Sequence, residues 1–143
     1  MAAPAISSIT DVRAFIAEYF GAWQGTDIDR IMDYYADEVS LVFAGTNMDG
    51  KDAVETNFVR PFVGAFPGNR HIPKNMIFGQ DVVVVEWSFE AEHTGPFAGK
   101  PATGISVKVP GCSVYEYDAV KRQITGGRIY VDVGTLLKQI GAA

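Results

Sequence analysis

Apolar side chains recur every third or fourth residue near the start of this chain and every second residue near its middle. Val12, Phe15, Ile16, Tyr19, Phe20 and Trp23 follow the i, i+3, i+4, i+7 spacing and predict a helix with one apolar stripe. Ser8 or Thr10 supplies a cap ahead of it, and Gly25 ends it. Asp27 or Asp29 starts a short second helix carrying Ile31, Met32, Tyr34 and Tyr35. Glu38 to Ala44 reads as a largely apolar strand and Asn47 to Gly50 as a turn. Asp52 begins a third helix through Val54, Phe58, Val59, Phe62 and Val63. Pro61 lies inside it and should kink or shorten it, because proline lacks the N–H and crowds the preceding turn.

After the Phe66–Arg70 loop the period changes to two. Ile72 to Phe78 is a strand, and Pro73 within it marks an edge or an irregular start. Gly79-Gln80-Asp81 is a hairpin turn. Beyond it, Val83, Val85, Trp87, Phe89, Ala91 and His93 alternate with Glu86, Ser88, Glu90 and Glu92. One face of that strand is buried and the other wet, and His93 shares the parity of Trp87 and Phe89. Ile105 to Tyr117 is a long strand with a bulge expected at Pro110-Gly111. Ile124 to Val133 is the last strand, and Thr135 to Ile140 a short terminal helix. Helices first and strands afterwards predict an α+β fold: a curved antiparallel sheet with the N-terminal helices on its concave face. Such a sheet leaves a cone-shaped pocket suited to a small apolar ligand held by a few polar groups.

The 143 residues amount to one domain, 1–143, with enough chain to bury a core. A net charge of −5 argues against nucleic acid or an anionic membrane as partner. No stretch approaches the roughly 18 apolar residues of a membrane span, and the first residues lack the pattern of a signal peptide. The single cysteine, Cys112, cannot form an internal disulfide, which fits a reducing cytoplasm.

Chemistry gathers at two strand ends. His93 ends the alternating strand, and Asp132 ends the apolar run Arg128-Ile129-Tyr130-Val131. Convergence of the two in one pocket would suit acid–base chemistry, with burial raising the Asp132 pKa towards neutrality. Alternatively Asp132 caps the terminal helix, which would lower its pKa. His93 either holds a substrate carbonyl or bonds a loop carbonyl. Arg128 and Tyr130 share the parity of Asp132. Either all three point inward, with Asp132 or Glu116 neutralising Arg128, or a bulge at Gly126-Gly127 turns Arg128 to the surface. Trp23, Phe43, Trp87 and Phe89 could stack on a flat ligand or simply fill the core. Asn47 could bond a substrate from its turn. His71, between a loop and Pro73, reads as a surface residue. Glu86, Glu90 and Glu92 form a solvated face that could also meet a second subunit. Two histidines without an acidic cluster at ligand spacing give no metal site.

The segment His93-Thr-Gly-Pro-Phe-Ala-Gly-Lys-Pro-Ala-Thr-Gly104 resembles part of the SnoaL-like polyketide cyclases, in which a His-Thr-Gly opening leads to a Pro-x-Thr-Gly close. Arg128 to Asp132, followed by Leu136 to Gly141, resembles their last strand and helix. The resemblance implies the nuclear-transport-factor-two-like α+β cone, often a homodimer, and ring closure by intramolecular aldol condensation without metal or cofactor. Asp132 matches the family's acid–base carboxylate, and His93 a nearby pocket histidine. Tyr19 matches the helix tyrosine of ketosteroid isomerases, whose base on the first strand has no counterpart in Ser40–Ala44. Arg128 and Asp132 supply two members of the Asp-Arg-Asp set of the limonene-epoxide-hydrolase-like enzymes. The expected activity is cofactor-independent acid–base chemistry, cyclisation or isomerisation, on a small apolar carbonyl compound. The alternatives are a non-catalytic module holding an apolar or aromatic metabolite and, third, an epoxide-hydrolase-like hydrolase.

Overall fold

A computed structural model describes residues 4–142. In chain order the elements are α1 (Ile9–Gln24), α2 (Ile28–Met32), β1 (Tyr35–Phe43), β2 (Thr46–Asp49), α3 (Lys51–Val54), α4 (Arg60–Ala65), β3 (Arg70–Gly79), β4 (Val82–Glu92), β5 (Ser106–Asp118), β6 (Gln123–Val131) and α5 (Val133–Gln139). The strands make one open, curved sheet in the order β2-β1-β6-β5-β4-β3. Every neighbouring pair is antiparallel except β1 and β6, which run parallel.

The helical half follows the apolar stripe. Val12, Phe15, Ile16, Tyr19, Phe20 and Trp23 are buried along α1, and Ser8 caps it by accepting the Asp11 N–H. Asp27 caps α2 in the same way through Arg30. The third helix runs through 51–65 but is not uniform: a π turn, Glu55–Val59, separates α3 from α4. Pro61 then falls in the first turn of α4, where a missing N–H is tolerated. The expected turn at Asn47–Gly50 is displaced. The chain reverses at Ala44-Gly45, with φ of 49° and 80°, and Asn47 lies on β2 opposite Val42.

Two of the three register shifts in the sheet decide which candidate side chains reach the interior, and none sits at Pro110-Gly111. The β4–β5 register is unbroken from Val82↔Glu116 to Glu92↔Ser106. Pro110 needs no bulge because β6 ends opposite Gly111. The backbone of Lys108, two residues away and so facing the same side, is paired there by the Gln139 side chain of α5 instead. One bulge falls at Thr125, between Glu116↔Gly126 and Tyr117↔Ile124. Past it Ile129 is buried and Tyr130 is 58% exposed. The other falls at Lys74, between Pro73↔Trp87 and Asn75↔Glu86. It places His71 opposite Phe89, on the inner face.

Candidate functional site

Aromatic rings fill the space between helices and sheet. Trp23 packs on Phe58 at 5.3 Å and Phe43 on Phe58 at 5.3 Å. Phe62 meets Phe43 at 5.4 Å and Phe89 at 6.2 Å. Phe66 meets Phe89 at 5.4 Å. Trp87 is buried with its indole N–H donated to the Ser113 hydroxyl at 3.0 Å. That indole lies over Gly111, where a Cβ would come within 2.3 Å of it. Trp23, Phe43, Trp87 and Phe89 therefore share one interior, packed ring against ring.

His71 belongs to that interior and is not the surface residue its sequence position suggests. Its imidazole stacks on Phe20 at 5.1 Å and meets Trp87 at 4.9 Å, Phe89 at 5.3 Å and Trp23 at 5.9 Å. Its Nδ1 is buried without a partner. The residue as a whole remains partly exposed, because it lines an open groove of about 290 Å³ between α1 and β3, with Phe20, Gln24, Arg70 and Pro73. Burial among the rings pushes the imidazole down to about 3, so it is neutral at physiological pH. The sequence signal for His71 was the irregular strand start at Pro73; the bulge at Lys74 next to it is what reverses the parity.

Tyr19 is buried and shares a hydrogen bond with the Tyr35 hydroxyl, while Tyr115 lies edge-on to it at 5.5 Å. Burial, above all, raises all three phenols, so none ionises near neutral pH. This tyrosine cluster joins α1 to β1 and β5. Tyr35 and Tyr115 were not candidates from sequence, since each reads as an ordinary apolar position.

His93 is fully buried at the end of β4, as its parity predicts. Its Nδ1 lies 2.9 Å from the Thr103 hydroxyl, its ring lies 5.4 Å from Phe66, and its Nε2 has no partner. The residues after it dock on the end of α4. The N–H groups of Thr94 and Gly95 both donate to the Ala65 carbonyl. A Cβ on Gly95 would come within 1.9 Å of the Gly64 carbonyl oxygen, so only glycine permits this approach. From there the loop lays Phe97 on Phe62 and Phe66, at 5.3 and 5.2 Å.

The remaining candidates stand outside. Asp132 is exposed and caps α5, accepting the Thr135 N–H at 2.9 Å and its hydroxyl at 2.6 Å. Those bonds hold its carboxyl below the ordinary aspartate value, opposite to the rise expected of a buried acid. It makes no hydrogen bond with His93. Arg128 points to the outer face and pairs with Glu116 at 2.9 Å, and Tyr130 points outward beside it. Both follow from the bulge at Thr125. Asn47 is exposed on β2. Among the described residues no group of three His, Cys, Asp or Glu is placed to hold a metal ion, and no helix is long and apolar enough to cross a membrane.

Comparison with known proteins agrees with this architecture. The sequence model of the SnoaL-like domain matches residues 16–125. AclR, a candidate hydroxylase from Streptomyces galilaeus, is 20% identical with a TM-score of 0.81, over 95% of this chain and 99% of that one. A candidate SnoaL-like polyketide cyclase from Jannaschia sp. CCS1 is also 20% identical, with a TM-score of 0.80 over 100% and 98% of the two chains. TsrD from Streptomyces laurentii is 15% identical, with a TM-score of 0.80 over 96% and 99%. No curated protein matches the sequence. The chain belongs to the SnoaL-like domain family.

Proposed function

We propose that this SnoaL-like domain binds a small, largely apolar carbonyl compound against the aromatic box around His71, with a neutral imidazole as its polar contact. One observation carries the reading. A ring nitrogen of His71 is buried without a partner, in a residue that lines an open groove and is walled by Phe20, Trp23, Trp87 and Phe89. Aromatic faces offer a flat ligand large contact area at little entropic loss. A neutral imidazole has one N–H and one lone pair, so it can donate to a carbonyl oxygen without burying a charge.

Holding the ligand is what this geometry supports best. Cyclisation or isomerisation also needs a base for the proton next to the carbonyl. Among the described residues the buried polar ones are Asn69, Ser88, His93 and Ser113, with no carboxylate among them. Asp132, the family's counterpart, faces solvent with its oxygens engaged by Thr135. Acid–base catalysis is the second reading. It is favoured by two interior imidazoles, His71 and His93, each with a ring nitrogen that has no hydrogen-bond partner. The hydrolase reading has no support, since Arg128 pairs with Glu116 on the outer face.

The test uses 2-acetylnaphthalene, an aromatic ketone with exchangeable protons beside its carbonyl. Titration is expected to show saturable binding that His71→Phe weakens about tenfold, the equivalent of about 1.4 kcal/mol. Nuclear magnetic resonance in deuterated buffer separates the two readings. Methyl protons that exchange no faster than in buffer support a holding domain; faster exchange that His71→Phe abolishes supports acid–base chemistry. Absence of binding to the wild type removes both.

A further inference from the structure

We propose that the His71 groove takes a carboxylic acid: an apolar carbonyl compound whose carboxylate stays at the mouth, held by Arg70, while its body lies over Gly21 of α1. The proposal rests on the reading of that groove given above, and it narrows the ligand from a neutral ketone to a keto acid.

Charge at the groove has one sign. Among the described residues that line it, Arg70 alone is ionised, in a chain whose net charge is −5. Arg70 pairs with no carboxylate among the described residues, although Glu90 lies opposite it on β4. His71 and Arg70 are consecutive on β3 and leave opposite faces of the strand. Because β3 is the outermost strand, exposed Arg70 borders the groove from its solvent side and His71 from the interior. A keto acid fits that order, with its carbonyl inward and its carboxylate outward. A guanidinium binds a carboxylate through two parallel N–H bonds, and at the mouth the anion keeps part of its hydration. One cation balances one negative charge, so a carboxylate suits the groove better than a phosphate dianion. The carbonyl end of the α1 dipole opposes an anion near Gln24. It is a partial charge screened by solvent, whereas the guanidinium carries a full charge in direct contact.

Gly21 shapes the apolar part of the groove. It lies inside α1, where glycine is a poorer helix former than alanine. Packing does not demand it, since a Cβ there would meet nothing within 4 Å. It does line the groove, one turn after Ala17 and beside Phe20. The missing side chain leaves α1 flat where a ring can lie, next to the imidazole whose Nδ1 has no partner.

The probes are 6-acetyl-2-naphthoic acid and its methyl ester, which share the rings and the ketone and differ in charge. Calorimetric titration of the wild type at neutral pH is expected to show the acid bound at least about tenfold tighter than the ester, about 1.4 kcal/mol. Arg70→Gln should abolish that preference while leaving ester affinity within about threefold. Lys138→Met removes the same charge from α5 and should keep the preference; its loss there too would make the effect one of net charge and overturn the site. Gly21→Leu should fill the groove and weaken both probes at least about tenfold. Arg70 and Gly21 are both exposed, so neither substitution removes a core contact, and circular dichroism should stay unchanged. An ester bound as tightly as the acid, a preference that survives Arg70→Gln, or undiminished binding to Gly21→Leu overturns the proposal. If 2-acetylnaphthalene and the ester bind through His71 and the acid gains nothing, only the carboxylate site falls. If the acid binds through Arg70 and His71→Phe leaves it unchanged, only the His71 reading falls.

Discussion

His71 sits among rings that disfavour its charged form: Phe20, Trp23, Trp87 and Phe89 pack around it, and no carboxylate bonds to it. Its pKa falls from 6.5 to about 3 in the folded protein. The unfolded chain therefore takes up the proton first as pH drops. Stability from the neutral ring is complete above 6.5 and is lost as pH falls towards 3. The slope is at most about 1.4 kcal/mol per pH unit, and the partly exposed edge of the ring keeps it below that bound. Urea unfolding at several pH values between 7 and 4 should show this slope in the wild type and a flatter profile in His71→Phe. Asp132 titrates in a different window. Its depressed pKa means that its contribution is present above the ordinary aspartate value and lost as pH falls through the folded one. Asparagine keeps one acceptor for the Thr135 N–H but loses the charge and the second acceptor, so Asp132→Asn should lower the thermal midpoint less than Asp132→Ala does. Ketone binding should survive both; its loss in Asp132→Asn alone would return the carboxylate to the site. From sequence, Asp132 had two readings with opposite pKa signs, and only the Thr135 bonds choose between them.

At the scale of elements, the alternating strand was the most legible part of the chain. Odd positions of β4 through His93 face inward because side-chain direction follows a period of two. That rule carries across a hairpin only while the register holds. Counting back from Gly79↔Val82 without a bulge would set His71 opposite Glu90, on the wet face; one extra residue at Lys74 sets it opposite Phe89. A bulge is a negotiation between two strands, and one strand's sequence reveals only its raw material, here Pro73 on an edge. The glycines of the His-Thr-Gly loop and of β5 encode close approach in the same hidden way. At Gly95 the added Cβ would strike backbone, which cannot give way; at Gly111 it would strike the Trp87 ring. Gly111→Ala is expected to destabilise by about 1–3 kcal/mol and to change Trp fluorescence as the indole leaves Ser113. Gly95→Ala should abolish hydrogen-exchange protection at the Thr94 and Gly95 amides. Gly99→Ala, at φ 76° but with nothing near its Cβ, should cost about 1–2 kcal/mol of backbone strain and leave that protection intact. Equal protection loss in both variants would mean that the loop is held by its own turn and not by α4.

The whole molecule covers only one face of its sheet. Helices α1 to α4 and the Phe97 loop close the inner face around the aromatic interior. On the outer face Ile77, Val84, Val114 and Arg128 stand in one row across four strands, with Cys112 and Tyr130 in the next. Ile77 and Tyr130 are each 58% exposed. Alternation foretold that this face exists and that it carries Glu86, but not that the Thr125 bulge would add Tyr130 to it. A homodimer of the kind the family resemblance implies would pack a second copy here, back to back, with the two aromatic interiors facing away from each other. A two-fold axis would bring the same row from each copy together, and each Ile77 and Tyr130 would be shielded by the partner's own apolar row. The salt bridge of Arg128 with Glu116 already neutralises the one cation in that row, which lowers the desolvation that contact requires. Sedimentation velocity at micromolar concentration is expected to give the mass of a dimer, and Ile77→Glu to give a monomer with unchanged circular dichroism and undiminished binding of 2-acetylnaphthalene. A wild type that sediments as a monomer throughout would make the row the ordinary wet side of a half-covered sheet, with its apolar groups too few to drive association.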